Sequence, residues 1–293
     1  PRIRLEAHRL VEAYMIAANV AAADWLLKKR APGIYRVHES PADERLEDLR
    51  TLLKLSGYNL QKGGLKAAHF NRVLKACEGK PEQVMIHTAV LRSQMQAYYA
   101  HENLGHFGLS LQKYCHFTSP IRRYSDLVVH RSLAELIHHS ALSPAARHRT
   151  TASHLSTVAL HISDTERKAM LAERDANDRY KVSYMTRHIG NTFPGTITGL
   201  NEYGLFVTLA DNGVTGFVPV RNLSGDYFHY DDKHAPLRGS RSKLQYGIGM
   251  PLMVRVQEAN AMTGSLIFEL EQGRILPPPP PRMPHRKERR HHG

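Results

Sequence analysis

The stretch His116 to Arg131, HFTSPIRRYSDLVVHR, sets Arg122, Arg123 and Arg131 beside the hydroxyls of Thr118, Ser119 and Tyr124, around a single proline. A guanidinium presents a rigid fork of donors that matches the oxygens of a phosphate, and short hydroxyls add hydrogen bonds to the same group. Pro120 restrains the backbone ahead of Arg122 and biases Ser119 away from helix. The spacing therefore describes a turn that aims its side chains before a ligand arrives. The plainer alternative is the solvated start of a basic helix, expected from about Arg123 through Ile137. Asp126 and His130 are four apart on one face of that helix, placed to orient the turn through hydrogen bonds.

The chain around this turn has 293 residues, enough for two domains with separate cores. Its 40 basic and 27 acidic residues leave a net charge of +13. Such a field favours polyanions, of which nucleic acid is the commonest in a cell. Two cysteines, Cys77 and Cys115, exclude a disulfide framework and point to a reducing, cytoplasmic setting. No continuous apolar run approaches the roughly 20 residues that span a bilayer, and no signal peptide is visible, so no membrane partner is expected.

The elements that must position the turn can be placed from periodicity. Leu5 to Lys29 reads as a helix whose alanines, Ala17-Ala18 and Ala21 to Ala23, suit close packing; Ala31-Pro32-Gly33 stops it. Ile34 to Val37 reads as a short strand, and Asp43 to Ser56, Phe70 to Cys77 and Glu82 to Tyr99 as helices. A loop through Asn103 and Gly105 leads to an expected strand, Phe107 to Tyr114, and then to the arginine turn. After Ser143-Pro144 a long helical tract runs from about Thr150 to His188. At Gly190 the pattern changes to short β-branched and aromatic runs divided by turn signals: Phe193–Thr198, Leu205–Leu209, Gly216–Val218, Leu252–Val256 and Ser265–Phe268. Five such strands predict a small OB-type barrel, giving an α+β chain overall. From residue 273 a polyproline spacer precedes Arg282, Arg286, Lys287, Arg289 and Arg290, a basic tail expected to be disordered.

The signature string as a whole resembles that of the RNase II/RNase R (RNB) family of 3′-to-5′ exoribonucleases. HRLVEAYMIAANVAAA from His8, NLGHFGLSL from Asn103 and LAERDANDRYKVSYM from Leu171 resemble further segments of that family. Asn201, Tyr203, Gly204, Leu205, Phe206 and Val207 resemble the second-strand entry of the RNA-binding OB domain first named from a ribosomal protein. The likeness covers about residues 3 to 272. It implies residues 1–189 as the carboxy-terminal, helix-rich part of an RNB-type catalytic domain, 190–272 as an OB-fold RNA-binding domain, and 273–293 as the tail.

Family chemistry is metal-assisted hydrolysis of single-stranded RNA to nucleoside 5′-monophosphates, with two ions, usually magnesium, in a nest of aspartates. That nest lies in the amino-terminal half of the family's domain, which this chain does not match, so no metal ligand is assigned here. The segments Asp43–Asp48, Glu173–Asp178 and Asp231-Asp232 are carboxylate-bearing, but the first two are interleaved with arginines and read as solvated faces. By matching position, Arg122 resembles the family arginine on the scissile phosphate, and is assigned as the catalytic residue. Glu12 matches a family glutamate near the terminal nucleotide, where it would accept from ribose hydroxyls. Ser119, Arg123 and Tyr124 either shape the turn or touch RNA.

In the barrel, Tyr203, Phe206 and Phe217 are candidates for a base-stacking platform, with Tyr203 and Phe206 assigned to RNA binding; the alternative places one or two of the three in the barrel core, Phe217 first. Pro219 stands where many relatives carry histidine, and Thr263-Gly264 where a basic residue is usual, which shifts any RNA grip towards charge. The chain opens at Pro1 within charged helical sequence. That fits a trimmed or cleaved polypeptide, or one half of a split enzyme whose amino-terminal catalytic segment is a separate chain. A non-catalytic RNA-binding module and a scaffold docked through its basic tail are the competing readings.

Overall fold

The computed structural model describes residues 5–80, 82–138, 151–223, 226–230 and 237–271, which form two compact units. The first unit spans residues 5–46, 61–69 and, among the described residues, 93–138 and 151–171. The second takes 47–60, 70–92 and the chain from 172 onward. Four of the five limits fall inside helices, whereas the change of sequence pattern at residue 190 coincides with entry into the barrel strands.

The first unit begins with α1, Glu6–Lys28. Ala22, Ala23 and Leu26 are buried, and the small side chains let the helix pack against β1 (Tyr35–Val37) and α5 (Tyr124–His138). The helix ends where Arg30 takes a positive φ of 51° ahead of Pro32. Gly33 then passes so close to Leu26 that a Cβ there would lie 2.9 Å from its Cδ1. The chain continues through α2 (Asp43–Leu55), α3 (Ala67–Ala76) and α4 (Gln83–Ser93) to β2 (Tyr98–Ala100). A long helix, α6, spans Ala152–Met185.

Three expectations are corrected here. The helix expected over Glu82 to Tyr99 stops at Ser93, and Tyr98–Ala100 pairs antiparallel with β1, Tyr99 opposite Arg36. Burial of Tyr99 beside Ile34, Leu155 and Ala159 overrides the helical period. The strand expected at Phe107 to Tyr114 is a single 3₁₀ turn, Phe107–Leu109, with Ser110 left-handed at φ 56°. Its backbone is held by His38 instead of by a ladder: Phe107 N–H donates to His38 O (2.7 Å) and Gly108 N–H to His38 Nδ1 (2.8 Å). Finally, α1 reaches a mean hydropathy of 1.4, long and apolar enough by length and composition to cross a membrane. Interspersed alanines give it this average without an unbroken apolar run, and its buried residues pack within the protein.

In the second unit, a closed barrel is formed in the order β10-β5-β4-β3-β9. Its strands are β3 (Thr192–Asn201), β4 (Gly204–Leu209), β5 (Thr215–Pro219), β9 (Pro251–Asn260) and β10 (Ser265–Leu270), matching the five runs read from sequence. Ile197, Leu205, Val207, Val218, Val254, Val256 and Phe268 point inward, joined by Val182 and Met185 from the end of α6. Between β5 and β9 lies a three-stranded sheet unforeseen from sequence: β6 (Phe228–Tyr230), β7 (Leu237–Gly239) and β8 (Gln245–Tyr246). Runs of two and three residues carry too little periodicity to be seen. The basic tail and Asp231-Asp232 lie outside the described residues.

Gly204 opens β4 at φ +156°, where a Cβ would stand 2.1 Å from Val218 O. The clash is with backbone of the paired strand, so no side-chain movement relieves it. Gly204→Ala is expected to destabilise the barrel by more than about 2 kcal/mol, read from urea or thermal unfolding. A variant within about 0.5 kcal/mol of wild type would contradict this packing.

Candidate functional site

The arginine turn is organised by one carboxylate. Asp126, in the first turn of α5, is fully buried at 0% exposure. It accepts from Ser119 N–H (2.7 Å), Arg123 Nε (2.9 Å), Arg123 Nη2 (2.8 Å) and Ser125 Oγ (3.1 Å). Burial works to raise its pKa, but the Arg123 guanidinium and the Ser119 N–H outweigh that and hold it below the usual carboxylate range. Ser119 O in turn accepts from the backbone N–H of Arg122 (3.3 Å) and Arg123 (3.2 Å). His130, one helical turn further, donates from Nε2 to Phe117 O at 2.8 Å and stacks on the Phe117 ring at 4.3 Å.

The two adjacent arginines are thereby separated in role. Arg123 is half-buried and committed to Asp126. Arg122 is exposed, and its guanidinium has no hydrogen-bond or ion-pair partner among the described residues. Arg131 lies over the Tyr124 ring, 5.9 Å from its centroid, and both are exposed. Thr118 departs from its expected role as a surface donor: Oγ1 is buried without a partner.

Asn19 is a further residue of this site, missed because a single asparagine in an alanine-rich helix carries no motif of its own. It is buried on α1 and accepts through Oδ1 from Phe117 N–H (2.9 Å) and Thr118 N–H (3.2 Å). Its Nδ2 donates to Tyr114 Oη at 3.1 Å. Asn19 thus clamps the strand-like approach to the turn onto α1. Glu12 stands two helical turns earlier on the same face, exposed to solvent.

Beneath the turn runs a chain of rings. His38, His106, Tyr114, His116 and Tyr99 follow one another at centroid distances of 5.1, 5.3, 5.7 and 5.6 Å. Tyr99 Oη and His116 Nδ1 are 2.9 Å apart. Burial, then the charges of Arg123 and Arg36, push His116 down to about 3. Burial, then His38 and Arg36, push His106 down to about 4. Both rings are neutral near pH 7 and serve as packing and hydrogen-bonding groups.

On the barrel, Tyr203 is exposed in the β3–β4 turn and Phe206 is exposed on β4. Of the two places open to Phe217, the structure gives the outer face: it pairs with Phe206 across β4 and β5, their rings 5.1 Å apart, while Gly216 and Val218 point inward. The structure therefore places Ser119, Arg122, Arg123 and Tyr124 in one turn, and Glu12 on α1 two helical turns from the Asn19 that holds the approach to it. Tyr203 and Phe206 belong to the other unit.

The described residues do not fit a pair of divalent ions. Among them, no group of three His, Cys, Asp or Glu side chains is arranged to hold a metal ion. Glu47 is paired with Arg50 (2.6 Å), Asp175 with Arg179 (3.1 Å) and Asp178 with Lys181 (3.4 Å).

The depressed histidines give a pH prediction. In the unfolded chain both titrate near 6.5, so below that value the unfolded state takes up protons that the folded state does not. Their contribution to stability is complete above about pH 6.5 and is lost as pH falls towards 4 and 3. The urea midpoint should fall between pH 7 and pH 5, above the range where carboxylates titrate, and His116→Gln should remove part of that fall. A midpoint independent of pH across this window would contradict the buried neutral pair.

Both parts of the chain resemble known proteins. Residues 1–139 match the RNB domain and residues 187–271 the S1 RNA binding domain. Ribonuclease R of Escherichia coli is 35% identical over 91% of the chain, and ribonuclease R 1 of Lactococcus lactis 36% identical over 92%. The chain spans only about a third of the length of each relative, 34% and 33%. A structure of Mycoplasma genitalium RNase R in complex with ribose-methylated single-stranded RNA superposes with a TM-score of 0.85 at 26% identity, over 92% of this chain and 42% of that one. The chain belongs to the RNB family and carries part of its RNB domain followed by an S1 RNA-binding domain.

Proposed function

We propose that this chain is the carboxy-terminal part of a processive, hydrolytic 3′-to-5′ exoribonuclease that degrades single-stranded RNA to nucleoside 5′-monophosphates. The observation that carries the reading is the division of labour in the turn. Arg123 is neutralised by a buried aspartate, while Arg122 is held out by the same hydrogen bonds with its charge unspent. A guanidinium fixed in this way stabilises negative charge on the nonbridging phosphate oxygens as the transition state forms, without reorganising at that moment. Glu12 accepts from the ribose hydroxyls of the terminal nucleotide, and Ser119 and Tyr124 line the approach. Tyr203 and Phe206 stack on bases further along the strand.

Magnesium, the metal usual in the family, is held in this reading by aspartates of an amino-terminal segment, either preceding this chain or supplied as a separate one. Two observations support such a segment. The chain covers about a third of its relatives' length, and α1 exposes Leu10, Val11 and Tyr14 beside Glu12, an apolar face suited to cover by protein. Buried Cys77 and Cys115, both with thiols raised by burial, accord with a reducing, cytoplasmic setting.

A non-catalytic RNA-binding module is the second reading, favoured by the dispersal of carboxylates among the described residues. In either case the purified chain should bind single-stranded RNA with affinity that falls steeply as salt rises, because phosphate contacts release counterions. It should release no mononucleotides by itself when magnesium is added. Metal-dependent hydrolysis by the chain free of any other protein would overturn the assignment of the metal to another segment.

A further inference from the structure

The outer face of the barrel carries a row of side chains that its core does not use. Strand pairing sets Thr208 between Thr196 and Thr215, and Phe206 between Gly199 and Phe217. Thr198 Oγ1 lies 2.9 Å from Thr208 Oγ1, which lies 2.8 Å from Thr215 Oγ1. A bulge between Ile197 and Gly199 brings the Thr198 hydroxyl into this line. Phe206 is 40% exposed beside Phe217.

The position next to Phe206 on β3 is bare, because Gly199 has no side chain. A Cβ built there would stand 3.4 Å from Phe206 Cδ2 and also 3.4 Å from Arg92 Nη2. Arg92 sits at the end of α4, in the same compact unit as the barrel. Its side chain reaches over the bare strand position, is exposed, and has no hydrogen-bond or ion-pair partner among the described residues. The guanidinium and the phenyl ring thus flank one point on the sheet, no more than twice that distance apart. Both are flat groups that favour the π-face of a third flat ring, and hydroxyls line the adjoining edge.

We propose that Arg92 and Phe206 form a nucleobase site, in which one base of single-stranded RNA lies against both the guanidinium plane and the phenyl ring. The inference rests on the RNA-binding reading above and goes beyond it. Arg92 lies outside residues 187–271, so the barrel's base-binding face is completed by a helix from the RNB-matching part of the chain.

The test is fluorescence anisotropy of the full chain with a labelled oligoadenylate, and with an abasic oligoribose phosphate of the same length. Arg92→Ala and Phe206→Leu should each weaken binding to oligoadenylate by about tenfold. The double variant should cost little more than either single change, because the two groups share one base. Arg92→Lys should not rescue binding, and none of these changes should alter affinity for the abasic strand. Unchanged affinity in Arg92→Ala, full rescue by lysine, additive losses, or an equal loss on the abasic strand would each overturn the shared base site. Failure of the unaltered chain to bind either strand would instead bring down the RNA-binding reading itself, and this inference with it.

Discussion

The buried carboxylate of Asp126 is the constraint on which the arginine turn depends. An ionised aspartate at 0% exposure is tolerable only with its lone pairs occupied, and here four donors occupy them. Removing one partner of such a pair costs on the order of 3–5 kcal/mol, so the geometry around it has little freedom. Ser119 N–H and the Arg123 fork must both face inward. With Ser119 fixed and Pro120 restraining φ, Arg122 is left on the outside of the turn. The charge that faces solvent is therefore selected by the charge that does not.

The same logic extends outward through neutral groups. Asn19 satisfies the N–H groups of Phe117 and Thr118, and Tyr114 beside it continues into the ring chain of His106, His38, His116 and Tyr99. Arg36 lies over the Tyr99 ring at 4.6 Å and makes a two-pronged pair with Glu166 of α6, at 2.6 and 3.0 Å. These contacts join α1, β1, β2, α5 and α6 behind the turn. Long-range contacts of this kind suit a site that must hold a cation steady without help from a bound ligand.

Much of this was legible in the sequence, and the failures have physical causes. The barrel strands are legible because inward apolar residues recur at alternate positions, as Leu205, Val207 and Leu209 do in β4, and the structure keeps those five runs. Asp126 and His130 were readable as orienting groups because helical spacing places them behind the turn. Tyr98-Tyr99 and Phe107–Leu109 were misread because their conformations are decided by distant partners, β1 and His38, which no local window contains. Phe217 stayed open between platform and core because hydrophobicity alone does not give register: Gly216 and Val218 occupy the inward positions. Asn19 and Arg92 carry no motif at all. Each becomes visible only when the fold brings it to a backbone or a bare strand position far away in the chain.

The central claim, that the turn holds Arg122 against a reacting phosphate, is tested most directly in the proposed exoribonuclease, this chain together with an amino-terminal segment that carries the metal-binding aspartates. The measurement is single-turnover decay of a short oligoribonucleotide at saturating Arg122→Lys enzyme, beside equilibrium binding in calcium to block chemistry. Lysine keeps the charge but loses the planar fork. The account predicts a rate lower by on the order of 10²–10³ with affinity almost unchanged. Equal losses in rate and affinity, or no loss in either, would contradict it.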